Sequence, residues 1–144
     1  MSDQRYLQRQ AAAVVPGALG PLVEDAAYTP TYYGSTTAGV TTYTTQAGYY
    51  QRVGNAVFFS AFVVWTAATG TGEARISLPF TPATYFCALA VRSYDVTFAG
   101  ASPQALVIPG TAAAVFEYPV TNAASVRINV EAAGQLLVSG VFFI

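Results

Sequence analysis

From Tyr28 onward the chain reads in short apolar runs with a period of two, broken by turn residues. In 125–131, Val126, Ile128 and Val130 alternate with Arg127, Asn129 and Glu131, and in 73–78, Ala74, Ile76 and Leu78 alternate with Glu73, Arg75 and Ser77. Strict alternation predicts strands with one buried and one wet face. The run 56–66 breaks this pattern. One of its faces carries Val57, Phe59, Ala61, Val63 and Trp65, the other Ala56, Phe58, Ser60, Phe62 and Val64. The C-terminus does the same, with Leu136, Val138, Phe142 and Ile144 on one side and Leu137, Val141 and Phe143 on the other. Strands apolar on both faces need two covers. The partner sheet is one, and a neighbouring subunit is the simplest second.

Strands are expected near 28–33, 40–45, 48–53, 56–66, 73–78, 86–92, 94–99, 104–109, 113–118, 125–131 and 136–143. Gly34-Ser35, Ala47-Gly48, Gly54-Asn55, Gly70-Thr71-Gly72, Pro79 to Pro82, Gly100 to Pro103, Pro109-Gly110, Thr121-Asn122 and Gly134 supply the turns. With no convincing helix among them, these predict an all-β fold, an antiparallel β-sandwich or barrel of about ten strands. Residues 1–27 differ. Good helix formers fill Gln4 to Ala13, Pro16-Gly17 stops a helix, Gly20-Pro21 bars its resumption, and Leu22 to Ala27 reads as a tether. The division expected is therefore a docking arm, 1–27, and an oligomerising sandwich domain, 28–144. A ten-residue helix is marginal alone in water, so the arm is expected either to be disordered or to be ordered by a partner, with Arg5, Tyr6, Leu7 and Arg9 as its candidate contact residues. Val57, Phe59, Trp65, Val141 and Phe143 are the candidates for core or subunit interface.

Composition sharpens the oligomer argument. The 144 residues are 53% hydrophobic and 9% charged, against about 25% charged in an average domain. All cations are arginine, net charge is −1, and no basic run marks a nucleic-acid or anionic-membrane partner. The uncharged stretch between Arg52 and Glu73 is long enough to span a bilayer. Its Asn55, Ser60, threonines and β-branched content argue against a membrane helix, so no membrane insertion is expected. Secretory leader features are missing from the first residues.

The chemistry of catalysis is thin. The chain has no histidine, which removes a Ser-His-Asp triad and the usual zinc site, and the single Cys87 lacks an activating base. Cys87 sits in Tyr85-Phe86-Cys87-Ala88-Leu89 and reads as a small buried hydrophobe. Each acid reads as part of a solvated strand face or a turn, with no Asp-x-Asp calcium run. No cofactor and no enzymatic activity are expected. Tyr28, Tyr32, Tyr33, Tyr43, Tyr49 and Tyr50 cluster early. They suit a stacking platform for sugars or protein, but sheet propensity and cross-strand packing explain them more simply.

Tyr28-Thr29-Pro30-Thr31, Gly34-Ser35-Thr36-Thr37, Tyr43-Thr44-Thr45-Gln46-Ala47-Gly48-Tyr49-Tyr50, Val53-Gly54-Asn55-Ala56-Val57-Phe58-Phe59 and Gly70 through Phe80 together resemble a module common in tailed-bacteriophage virion proteins. That family opens on Trp-Thr-Pro, where Tyr28 stands here for the tryptophan, and the likeness is strongest over 28–80. The resemblance implies a trimeric, jelly-roll-like β-sandwich found on tail-fibre tips or on capsids as head fibres and decoration (cement) proteins, with no catalytic residues. A short arm on a small module suits a homotrimer pinned to the major capsid protein on the virion surface. The alternatives are a receptor-binding protein at a tail-fibre or baseplate tip that reads host carbohydrate or protein, and a lectin-like module unrelated to viruses.

Overall fold

The computed structural model describes residues 23–96 and 102–144. Ten strands are described: β1 (Val23–Tyr28), β2 (Tyr32–Gly34), β3 (Thr41–Val53), β4 (Ala56–Ala68), β5 (Ala74–Ser77), β6 (Cys87–Tyr94), β7 (Gln104–Val107), β8 (Ala113–Val120), β9 (Ala123–Arg127) and β10 (Gly134–Phe143). All pairings are antiparallel, in the order β1-β3-β4-β10-β6-β7-β8-β5-β2, with β9 beside β8. The fold is all-β, as the alternation predicted.

One sheet makes both layers because β6 serves twice. Its C-terminal half, Ala90–Tyr94, pairs with β10, and its N-terminal half, Cys87–Leu89, pairs with β7. The sheet curls over at β6. A front layer β1-β3-β4-β10-β6 then faces a back layer β6-β7-β8-β5-β2 across a dry interior. Front-layer Val57, Phe59, Ala61, Val63, Trp65, Leu136, Val138 and Phe142 pack there with back-layer Tyr32, Ala74, Ile76, Ala105, Val107, Ala114 and Phe116. Tyr32 stacks on Trp65 with ring centroids 4.1 Å apart, and Trp65 Nε1 donates to the Glu131 carbonyl at 2.9 Å. Tryptophan is costly to bury unless its N–H finds such an acceptor.

Several boundaries differ from expectation. The segments 40–45 and 48–53 are one strand, β3, and Ala47-Gly48 is no turn. A bulge around Tyr43–Thr45 absorbs the irregularity. Gly48 is needed for a close approach: a Cβ there would lie 2.5 Å from the Tyr28 ring. The turn that does occur is Gly54-Asn55, a two-residue hairpin loop with Gly54 at φ +59°, a conformation glycine adopts without strain. Residues 23–27, expected as tether, are strand β1. It is strapped to β3 by the Tyr49 hydroxyl donating to Asp25 at 2.7 Å and the Tyr50 hydroxyl donating to Glu24 at 2.8 Å. Of the strand expected at 94–99, Tyr94 ends β6, Asp95 and Val96 are not strand, and 97–99 lie outside the described residues. The uncharged stretch after Arg52 is β4 with its flanking turns, and among the described residues no helix is long and apolar enough to cross a membrane.

Candidate association surface

The inner face of β4 is sealed: Val57, Phe59, Ala61, Val63 and Trp65 are all buried. The outer face of the same strand is open, with Phe58 50% exposed and Phe62 and Val64 half-buried. Register builds this into a wide surface, because residues opposite one another on paired strands share a face. Phe58 sits between Gln51 of β3 and Val141 of β10, Ser60 between Tyr49 and Ser139, Phe62 between Ala47 and Leu137, and Val64 between Thr45 and Gln135. The rows continue outward to Asp25 and Ala27 on β1 and to Ala90, Arg92 and Tyr94 on β6. Tyr49 at 50%, Phe143 at 45% and Leu137 at 36% are exposed beside Phe58. A groove of about 450 Å³ runs among Tyr49, Gln51, Phe58, Ser60, Gly140 and Val141. At the end of the surface, Phe143 and Ile144 line a second hollow with Asn55 and Tyr85.

Electrostatics leave this surface nearly neutral. Asp25 and Arg92 are its charged side chains among the described residues, and they sit on the two outermost strands, β1 and β6. Asp25 is engaged by Tyr49, and that hydrogen bond, the largest cause, pushes the Tyr49 hydroxyl above its ordinary pKa. The same donor geometry to Glu24 raises Tyr50 on the inner side of β3. A surface so apolar and so nearly free of charge is unfavourably hydrated and is suited to being covered.

The candidate residues divide accordingly. Val57, Phe59 and Trp65 are core. Val141 and Phe143 lie on the open front face, as half-buried and exposed residues. Arg5, Tyr6, Leu7 and Arg9 lie outside the described residues. The tyrosines separate as well. Tyr32 stacks in the core, Tyr28 and Tyr50 meet edge-to-face with centroids 6.5 Å apart, Tyr43 Oη receives the Tyr32 N–H, and of these Tyr49 stands on the open face. Cys87 is half-buried against the core rim, with Sγ 3.8 Å from the Tyr85 carbonyl. Sequence reasoning missed Ser60 and Ser139 as a central pair, and Tyr49 and Leu137 as their neighbours. Strand periodicity places residues on faces, but only the β4–β10 register brings these four together.

The chain matches no family model, no curated protein and no solved structure.

Proposed function

We propose that the chain is a non-enzymatic structural module that works as an assembly of its own copies, with the open front face as subunit interface. The observation that carries this is the pairing of a sealed inner face with an apolar, almost uncharged outer face on the same strands, β4 and β10. A chain with 9% charged residues has little polar surface to spare, yet leaves Phe58, Tyr49, Leu137 and Phe143 open on one side. Burial of such a patch yields roughly 25 cal/mol per Å², the ordinary driving force of association.

The resemblance of residues 28–80 to tailed-phage virion modules supports placing the assembly on a virion. The reading is a capsid decoration protein, an assembly of its own copies held to the head through the segment that precedes β1. Several such segments in one assembly engage together, so a weak single contact becomes tight binding through effective concentration. Because β1 begins at Val23, the deletion that isolates the arm removes residues 1–22. A cut after Ala27 would also strip the edge strand from β3.

Immunogold microscopy of intact particles with an antibody to residues 28–144 tests the placement. Label spread over the head is the expected result. Label confined to the tail would replace it with the fibre-tip reading, and particles without label would remove the virion from the account.

A further inference from the structure

We infer that the front face is an isologous contact: a second copy of this chain packs on it face to face, about a two-fold axis beside the Ser60–Ser139 pair. The inference rests on the self-association reading above and adds the partner, the centre and the symmetry.

The argument starts from register. β4 and β10 are antiparallel with Ser60 opposite Ser139. An antiparallel pair has a local two-fold axis normal to the sheet, so a step of two residues one way on β4 corresponds to the same step on β10. About the serine pair this relates Phe58 to Leu137, Phe62 to Val141 and Val64 to Phe143, each a large apolar residue exchanged for another. Ala56 and Gln135 are the pair that departs from the rule. The pattern apolar–hydroxyl–apolar therefore reads alike in both directions along the middle of the face.

A surface of this kind fits itself. When two copies meet about an axis lying between them, hydroxyl falls opposite hydroxyl and apolar opposite apolar. A hydroxyl is both donor and acceptor, so serines from two copies can satisfy one another, whereas any charged group placed there would face its own like. A second copy carries a matching hydroxyl centre ringed by apolar groups by construction. The charged residues agree with this, since Asp25 and Arg92 lie on the outer strands and leave β3, β4 and β10 free of charge on this side. Five strands about 4.8 Å apart, crossed by five rows about 6.8 Å apart, span on the order of 700 Å², close to the ~800 Å² per partner of a standard stable interface.

The experiment is cysteine cross-linking of the full chain, with sedimentation beside it. In a Cys87→Ser background, Ser60→Cys and Ser139→Cys are made separately, with Gln104→Cys on the back layer as control. Facing residues beside a two-fold axis are separated by the spacing of about 10 Å between stacked sheets, too far for a direct disulfide and within reach of a short bis-maleimide linker, which is the cross-linker used. The expected result is a covalent dimer from at least one front-face variant, formed at least ~10-fold faster than from the control, with wild-type chain sedimenting as a dimer. Front-face cross-linking no faster than the control overturns the inference. A trimer in sedimentation also overturns it while leaving self-association standing. A monomer at high micromolar concentration overturns both. Ser60→Asp guards against a folding artefact: it must keep the circular dichroism spectrum and abolish the dimer.

Discussion

The two outward surfaces of the sandwich use the same strand geometry for opposite ends. On the back layer the outward positions carry Glu73, Arg75, Gln104, Glu117 and Arg127, and Arg127 lies 3.2 Å from Glu117 and 4.0 Å from Glu73. The closer contact is an ion contact without hydrogen-bond alignment at Nη1. Val115, in the middle of that layer, is nonetheless buried, with Arg75 and Leu106 beside it across the strands. On the front layer the corresponding positions are Phe58, Phe62, Val64, Leu137 and Val141, of which Phe58 and Leu137 are exposed and the other three half-buried. The back layer is finished against water by its own side chains; on the reading proposed above, another copy finishes the front layer. Oligomers commonly divide their surfaces in this way, because an apolar face is stable only while covered and a charged face resists being covered.

The largest effect that tests this contrast separates the two sides of one strand. Trp65→Ala on the inner side of β4 should cost about 3–5 kcal/mol in urea unfolding, through the lost stacking on Tyr32 and an orphaned Glu131 carbonyl. Phe58→Ala on the outer side should change the stability of the monomeric form by less than about 1 kcal/mol. Equal costs would mean that the front face is covered within the chain.

Next comes association. Phe62→Asp should weaken it by about a hundredfold or more, because the contact would bury an unpaired charge. Val126→Asp on β9 of the back layer should stay within about threefold of wild type in the same sedimentation assay. A strong effect from Val126→Asp would move the interface to the wrong layer.

Alkaline pH probes the interior shared by both layers. Burial pushes the Tyr32 hydroxyl up to about 12, against a smaller opposing effect from the Glu131 backbone N–H that donates to it. The folded pKa is raised, so the contribution is fully present below the unfolded tyrosine value near 10 and is lost as pH climbs from about 10 to 12. Tyr32 alone should lower the unfolding free energy by roughly 2–3 kcal/mol over that window, in addition to the share of Tyr28, which burial also raises, and Tyr32→Phe should remove its part of the slope. A slope unchanged by Tyr32→Phe would show that other groups carry it. The smallest effect belongs to the back surface. Arg127→Gln should cost no more than about 1 kcal/mol in thermal or urea unfolding, since its ion contacts are partly solvated.

Much of the architecture was legible because apolar and polar residues alternate with a period of two, which names faces directly. The doubly apolar pattern of 56–66 and 136–144 already set these two strands apart as the ones with apolar outer faces. Three features were not legible for physical reasons. Gly48 reads as a turn because glycine is turn-prone, whereas here it makes room for the Tyr28 ring. Val23 to Ala27 mixes small and acidic residues with no strong strand signal, and β1 forms because Tyr49 and Tyr50 clasp Asp25 and Glu24 from the neighbouring strand. Ser60 and Ser139 are 79 positions apart (139 − 60), and no local pattern indicates that they are opposed until the β4–β10 register is known.

The measurement that bears most directly on the account is sedimentation velocity of the wild-type full chain across a concentration series, run beside Phe58→Asp. The account predicts a wild-type assembly at micromolar concentration and a Phe58→Asp chain that is monomeric with an unchanged circular dichroism spectrum. A wild-type chain that stays monomeric throughout, or a Phe58→Asp chain that assembles as tightly as wild type, would contradict it.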